Sequence, residues 1–218
     1  MKNVFLSLLA IILISVSATA QEEEEKPADK KWQARLRMIA ISPAAHASIE
    51  TIGGDVHIST AVVPELDFTY FINKNLALEL ILATANHDVN TEHTLAGSID
   101  LGDVWILPPT LTFQYHFNGK SVRPYVGAGI NYTIFYGADG GSVINNVSYD
   151  NAFGFALQGG LDINLNPNSD KWFFNVDLKK IYLRTDATVD ASSALGATVV
   201  ADVKIDPYVI GVGFGMRF

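Results

Sequence analysis

The chain contains no cysteine, which excludes disulfides, thiolate metal sites and a lipidated N-terminal Cys. Positive charge is scarce: 15 Lys and Arg stand against 23 Asp and Glu, a net charge of −8. The attraction that dominates binding to phosphate backbones therefore has the wrong sign, and no nucleic-acid partner is expected. Charged residues of either sign make up only 17%, beside 49% hydrophobic ones, too apolar a mixture for a disordered chain. Long hydrophobic runs are missing as well. Beyond residue 20 no stretch of about 18 uncharged apolar residues exists, so no transmembrane helix is expected. Residues 1–20 combine Lys2, an apolar stretch over 4–14 and the small residues Ala18-Thr19-Ala20. That pattern is a secretory signal peptide, removed from the mature chain.

What is present is hydrophobicity cut into short alternating pieces. Counting back from Phe218, one face of 208–218 carries Phe218, Met216, Phe214, Val212, Ile210 and Tyr208, and the other Arg217, Gly215, Gly213, Gly211 and Val209. Period two marks a strand with unlike faces. The same pattern runs through 64–71, 76–84, 110–117, 122–136 and 151–165, and more weakly through 32–42 and 172–183. In the last, Lys180 falls on the apolar face unless a bulge near the rim shifts the phase. Eight strands result, joined by short turns near 73–74, 118–121 and 166–170 and by long loops at roughly 43–60, 86–109, 137–150 and 185–202. A soluble barrel also alternates. It would fill its interior with bulk, however, whereas here the bulky face is uniformly apolar and the opposite face mixes Gly with charge. The expected fold is all-β, an eight-stranded antiparallel transmembrane β-barrel with the bulky face toward lipid.

Charge placement gives the barrel two unlike ends. The long segments carry Glu50, Asp55, Asp88, Glu92, Asp100, Asp103, Asp139, Asp150, Asp186, Asp190 and Asp202, and no Lys or Arg falls within 43–60, 86–109, 137–150 or 186–202. Basic residues gather at the short-turn end, among them Lys74, Lys120, Arg123 and Lys171.

Several motifs resemble the OmpW family of small outer-membrane proteins. They are Leu107-Pro108-Pro109-Thr110-Leu111, then Arg123-Pro124-Tyr125-Val126-Gly127-Ala128-Gly129-Ile130-Asn131-Tyr132-Thr133, with Asp206-Pro207 and the terminal Arg217-Phe218. The likeness runs from about Trp32 to Phe218. It implies a Gram-negative outer-membrane location, lipid and lipopolysaccharide as surroundings, and a narrow, rather hydrophobic lumen. It also implies passage of small apolar solutes, with exit sideways through the wall as one route. Three segments follow: a signal peptide over 1–20, an acidic periplasmic leader over 21–31 that includes Glu22-Glu23-Glu24-Glu25, and the barrel over 32–218.

The residues themselves add an obstruction. The inward parity places Arg35, Arg37, Glu65, Asp67, Glu79, Asp162, Asp177, Lys179 and Arg217 inside a barrel whose interior side chains alone can fill. Charges of both signs there would pair and close a water channel, which disfavours a general porin. Toward the outer end, Phe71, Ile81, Phe135, Ile181 and Leu183, with Trp105 of the second long loop, are candidates for a hydrophobic pocket. No catalytic group is nominated. His116 has no inward Ser beside it on its strand, His87 and His93 match no tight metal-ligand spacing, and Gly211-Val212-Gly213-Phe214-Gly215 has no helix after it to make a phosphate loop. No cofactor is expected. The chain reads as a passive channel rather than an enzyme. The second reading is a non-conducting structural or cell-surface barrel that works through its acidic loops. A closed wall leaves no sheet edge to pair, so a monomer is expected.

Overall fold

A computed structural model describes residues 30–44, 55–94, 97–140, 146–166, 168–191 and 197–218. The signal peptide and nearly all of the leader, 1–29, lie outside the described residues. Among the described residues there are thirteen strands: β1 (Trp32–Ser42), β2 (Asp55–Ile58), β3 (Ala61–Phe71), β4 (Leu76–Ala83), β5 (Ala85–Thr94), β6 (Gly97–Leu107), β7 (Thr110–His116), β8 (Val122–Asp139), β9 (Asn146–Tyr149), β10 (Ala152–Asn166), β11 (Ser169–Ala191), β12 (Ala197–Lys204) and β13 (Tyr208–Arg217).

Eight of them close the barrel in the order β10-β11-β13-β1-β3-β4-β7-β8, and β8 pairs back onto β10. Every pairing is antiparallel, and the chain ends are stitched together by Trp32 and Phe218, whose backbone N–H groups donate to each other's carbonyls at 2.9 and 2.8 Å. The remaining five strands correct the expectation of long loops. β5 and β6 form a hairpin carrying β2 on its edge, and β9 and β12 both pair with the far half of β11. Acidic residues suggested loops, yet Val199-Val200-Ala201-Asp202-Val203-Lys204 still alternates, and beyond the bilayer a strand tolerates acids on its wet face.

Why these segments take this wall follows from their two faces. Leu36, Met38, Leu78, Leu80, Val126, Ile130, Leu157, Leu178, Ile210 and Val212 all point outward and lie exposed on the protein's own surface. In water such a patch would be an association hazard; against hydrocarbon it is the favourable side. Aromatic residues rim the band at both edges. Trp32, Tyr70, Tyr115, Phe117 and Trp172 lie at the short-turn edge, with Trp32 and Tyr70 rings 4.9 Å apart. Trp105, Tyr136, Phe153, Tyr182 and Tyr208 lie at the other, where Trp105 meets Tyr136 at 6.2 Å.

Lys180 sits in that outer rim without a bulge. The β10–β11 register runs unbroken from Leu183 to Phe173, so the expected phase shift is absent and Lys180 faces outward. Its ammonium lies 3.6 Å from the centre of the Tyr208 ring and donates to the Asp206 carbonyl at 2.6 Å, an attraction strengthened by the weak solvation at a membrane edge. Asp206 itself adopts a left-handed φ of 36°, which bends the chain from β12 back into the wall. Its carboxylate accepts the Leu183 N–H at 2.9 Å and fixes the bend.

Candidate functional site in the lumen

The lumen has two sections stacked along the barrel axis. The one nearer the short turns is polar. Arg35 Nε donates to Asp67 at 2.7 Å, and the same guanidinium also pairs with Glu79 and lies 3.6 Å from Asp162. Arg37 reaches Glu65 at 2.8 Å and Asp67 at 2.9 Å. Lys179 bridges Glu65 at 2.9 Å and Asp177 at 3.1 Å, and Arg217 binds Asp162 at 2.8 Å. Side-chain exposure of these nine residues is 3% or less. Ions this deeply desolvated persist only when each has partners.

Neutral side chains complete the mesh. Tyr125 Oη donates to Asp177 at 2.6 Å and accepts from Asn175 at 3.1 Å. Gln158 Nε2 donates to Asp177 at 2.8 Å, and Thr112 Oγ1 donates to Glu79 at 3.0 Å. Gln114 Nε2 donates to Glu79 and Gln158, and Gln33 accepts from Arg217 Nε at 2.9 Å. With Arg35, Asp67, Glu79, Gln114, Tyr125, Gln158, Asp177 and Arg217, every one of the eight wall strands contributes. Parity with the charged positions marked these neutral residues in the sequence; attention to charge alone passed over them. Small residues make the room. A Cβ on Gly215 would lie 2.2 Å from the Phe173 ring, and one on Gly160 would lie 2.4 Å from Tyr125. The histidine at the foot of this section belongs to the mesh: His116 Nε2 lies 2.9 Å from Gln114 Oε1, and its ring stacks on Tyr125 at 5.0 Å.

The outer section is aliphatic. Ile39, Ile41, Ala61, Ala85, Ala152, Ala156, Ile181, Leu183 and Val209 form one buried cluster, against which Val63, Ala83, Ile106, Phe135 and Ile205 pack. Of the six pocket candidates, Ile181, Leu183 and Phe135 fall in this cluster, and Ile81 is 3% exposed on the same inner face. Two do not belong. Phe71 sits at the opposite end, where β3 meets its short turn, 4.8 Å from the His116 ring and 5.4 Å beneath the Arg123 guanidinium. Trp105 is 40% exposed on the outer wall, paired with Tyr136. Its neighbour Ile106 takes the inward place, because the tryptophan lies on the lipid-facing parity of β6. The alanines carried no signal as single residues, so the sequence reading missed them.

One seam of the wall is incomplete. The β4–β7 ladder ends at Ile81 opposite Thr110, and β5–β6 resumes at Ala85 opposite Ile106. Between them stand Pro108 and Pro109, which have no N–H to give. Their carbonyls turn to the other neighbour and accept from Asn131 Nδ2 at 3.2 and 3.5 Å.

A closed eight-stranded barrel with an apolar exterior, aromatic edges and an ion-paired interior defines a class, the small outer-membrane barrel proteins. The chain belongs to the OmpW family, whose model matches residues 30–218. It is 39% identical over 189 residues to the outer-membrane protein y4mB of Sinorhizobium fredii, a match covering 86% of this chain and 80% of that one. Against the dibenzothiophene metabolism operon protein PahQ of Pseudomonas aeruginosa it is 32% identical over 204 residues, 89% of this chain and 90% of the relative. The crystal structure of the outer membrane protein OprG from Pseudomonas aeruginosa superposes with a TM-score of 0.80 at 28% identity, covering 87% of this chain and 96% of that one. The protein is thus a bacterial outer-membrane barrel.

Proposed function

We propose that the barrel is a passive conduit for small, mainly apolar solutes, which enter its outer section and leave through the wall at the Pro108–Pro109 seam. The observation that carries this reading is the stacking of an aliphatic section directly on an ion-paired one. Parting the aliphatic side chains breaks no hydrogen bonds, because alkyl groups have none to lose. Parting the polar mesh strands buried charges, each at a cost of several kcal/mol. A solute that reaches the outer section therefore meets its lowest barrier sideways, where the β4/β5–β6/β7 ladder already lacks rungs. The relative PahQ, named for dibenzothiophene metabolism, supports an apolar aromatic cargo, as does the family's implied role.

The experiment is uptake of dibenzothiophene into proteoliposomes. Ala156→Phe, which fills the outer section, should lower uptake several-fold while the barrel still folds, checked by its heat-modified gel mobility. Replacing Pro108 by Val should slow it by restoring an N–H donor to the seam, since the Pro109 carbonyl already accepts from Tyr132 N–H on the β8 side. Uptake equal to that of empty liposomes for the unaltered protein would leave the surface-interaction barrel as the better reading.

A further inference from the structure

At and beyond the outer aromatic rim the barrel has little positive charge. No Lys or Arg falls within 43–60, 86–109, 137–150 or 186–202. Among the described residues, only Lys180, Arg184 and Lys204 put a Lys or Arg side chain on the outer surface of that half. They are not scattered. Lys180 and Arg184 share the outward parity of β11 on either side of Tyr182, and Lys204 of β12 stands directly opposite Arg184. Tyr208 of β13 stands opposite Lys180. A single stripe of the wall thus gathers the outward cations of an otherwise acidic half.

The strand itself gives their depth. With a rise of about 3.3 Å per residue and a tilt of about 40°, the run from Trp172 to Tyr182 stands about 25 Å tall, the height of the apolar band of such a barrel. Lys180 therefore lies just inside the outer edge of the hydrocarbon, and Arg184 and Lys204 just outside it, at the level of lipid headgroups. Their present partners leave donors over. Lys180 Nζ gives one N–H to the Asp206 carbonyl at 2.6 Å, and an ammonium has three. Lys204 reaches the Asp206 carboxylate at 3.1 Å, which also accepts the Leu183 N–H. Arg184 meets Asp202 at 3.8 Å with side chains 67% and 64% exposed, a pair weak enough for a better anion to replace. Asp202 and Asp186 face each other two residues further out, so the cations lie nearer the lipid than these acids do.

We propose that this stripe is a binding site for the phosphates of lipopolysaccharide, the phosphorylated glycolipid of the outer leaflet. One phosphate sits between Arg184 and Lys204, where the guanidinium fork matches its oxygens, and a second is met by Lys180. Along β11 the two positions are about 13 Å apart, a separation that suits a headgroup with two phosphates. Around the rest of the outer rim, near Trp105, Tyr136 and Phe153, the segments above carry Asp103, Asp139 and Asp150 without a cation, and a phosphate there meets repulsion. In the ring of wall strands the β11–β13 junction lies across the barrel from the β4–β7 seam. A lipid held at the stripe leaves the seam clear. The site is on the outside of the wall and does not depend on which solute the lumen carries.

Native mass spectrometry of the mature protein, released from detergent with diphosphoryl lipid A, monophosphoryl lipid A or phosphatidylglycerol, measures the affinity for each. It should fall in that order. Replacing Lys180, Arg184 and Lys204 together by Gln should weaken diphosphoryl lipid A binding about 100-fold. The same loss of charge at the opposite end, through Lys74→Gln, Lys120→Gln and Lys171→Gln, should leave it unchanged. Asp202→Asn should tighten it by freeing Arg184. Heat-modified gel mobility checks that each variant folds. Arg184 and Lys204 are exposed, so the pair Arg184→Gln and Lys204→Gln, with a loss of about 30-fold expected, keeps the test decisive should the triple variant misfold. Equal losses in the two triple variants would overturn the proposal, because net charge rather than the stripe would then govern binding. Three lipids bound alike would overturn it too, as would release of bound lipid A by millimolar inorganic phosphate, which would make the stripe a site for free anions.

Discussion

The polar half of the lumen draws on all eight wall strands and the aliphatic half on seven of them, with β5 and β6 in place of β7, yet the two hold the barrel in different ways. In the polar half, Arg35 and Arg37 each touch at least two carboxylates on other strands, and Lys179 joins Glu65 of β3 to Asp177 of its own strand. Removing one group therefore strands several. In the aliphatic half, Ala61, Ala85, Ala152 and Ala156 present methyl groups that part without penalty beyond lost contact. Closure of a small barrel is therefore not a matter of its diameter. An eight-stranded wall is filled by side chains in either half; what differs is whether the filling can be displaced.

The sharpest way to break that contrast is Arg35→Ala. It leaves Asp67 and Glu79 without their principal partner, and the expected loss is about 3–5 kcal/mol, read as a lower urea midpoint in liposomes. Ion conductance across a planar bilayer should rise with it. A variant as stable and as silent as the unaltered protein would end the claim that this mesh is the seal. Tyr125→Phe is the milder form. It removes a donor to Asp177 and an acceptor for Asn175, and about 1–3 kcal/mol should go.

Ile181→Val tests the other half. One methylene less in the aliphatic cluster should cost about 0.5–1.5 kcal/mol and leave conductance unchanged. A conductance rise here would erase the distinction between the halves. The smallest effect is expected from pH, above the aliphatic cluster. His87 on β5 is 3% exposed, with Nδ1 2.7 Å from the Ser59 carbonyl. Burial depresses its pKa below the usual 6.5, against the opposing pull of the Ser59 bond and of Asp88. A histidine held neutral in the fold contributes fully above its ordinary pKa. As pH falls below it the opened hairpin binds the proton first, so that stability is lost. Amide exchange in β2 and β5, corrected for intrinsic rates, should therefore quicken between pH 7 and pH 5, and His87→Leu should abolish the dependence.

How much of this could be read from the chain varies from strand to strand. The segment 32–42 coincides with β1, because Gln33, Arg35, Arg37, Ile39 and Ile41 alternate with residues fit for lipid. The nine interior charges share one parity with their neighbours, and that parity needs no tertiary information. The extensions β2, β5, β6, β9 and β12 were hidden because polar residues signal a loop as readily as a wet strand. Depth was hidden too. Phe71 and Ile81 share an inward parity, and only the turn at 72–75 shows that one lies at the foot of the lumen and the other well above it.

The sequence by itself determined the barrel: period-two alternation decides which residues face lipid, and an even set of strands with short and long connections decides how they pair. It determined the unlike charge of the two ends, since every acid-only segment falls on one side of the alternation between connections. Only the tertiary structure decided which charges meet. Arg217 and Asp162 are 55 residues apart in the chain, Lys179 and Glu65 are 114 apart, and a repeat of two says nothing about partners across a lumen. It likewise decided that Trp105 faces lipid and Ile106 the interior, and that the cations of two separate turns and of both ends of the barrel chain converge on one concavity at the short-turn mouth. Closure of the sheet sets those distances, and closure is a property of all eight strands together.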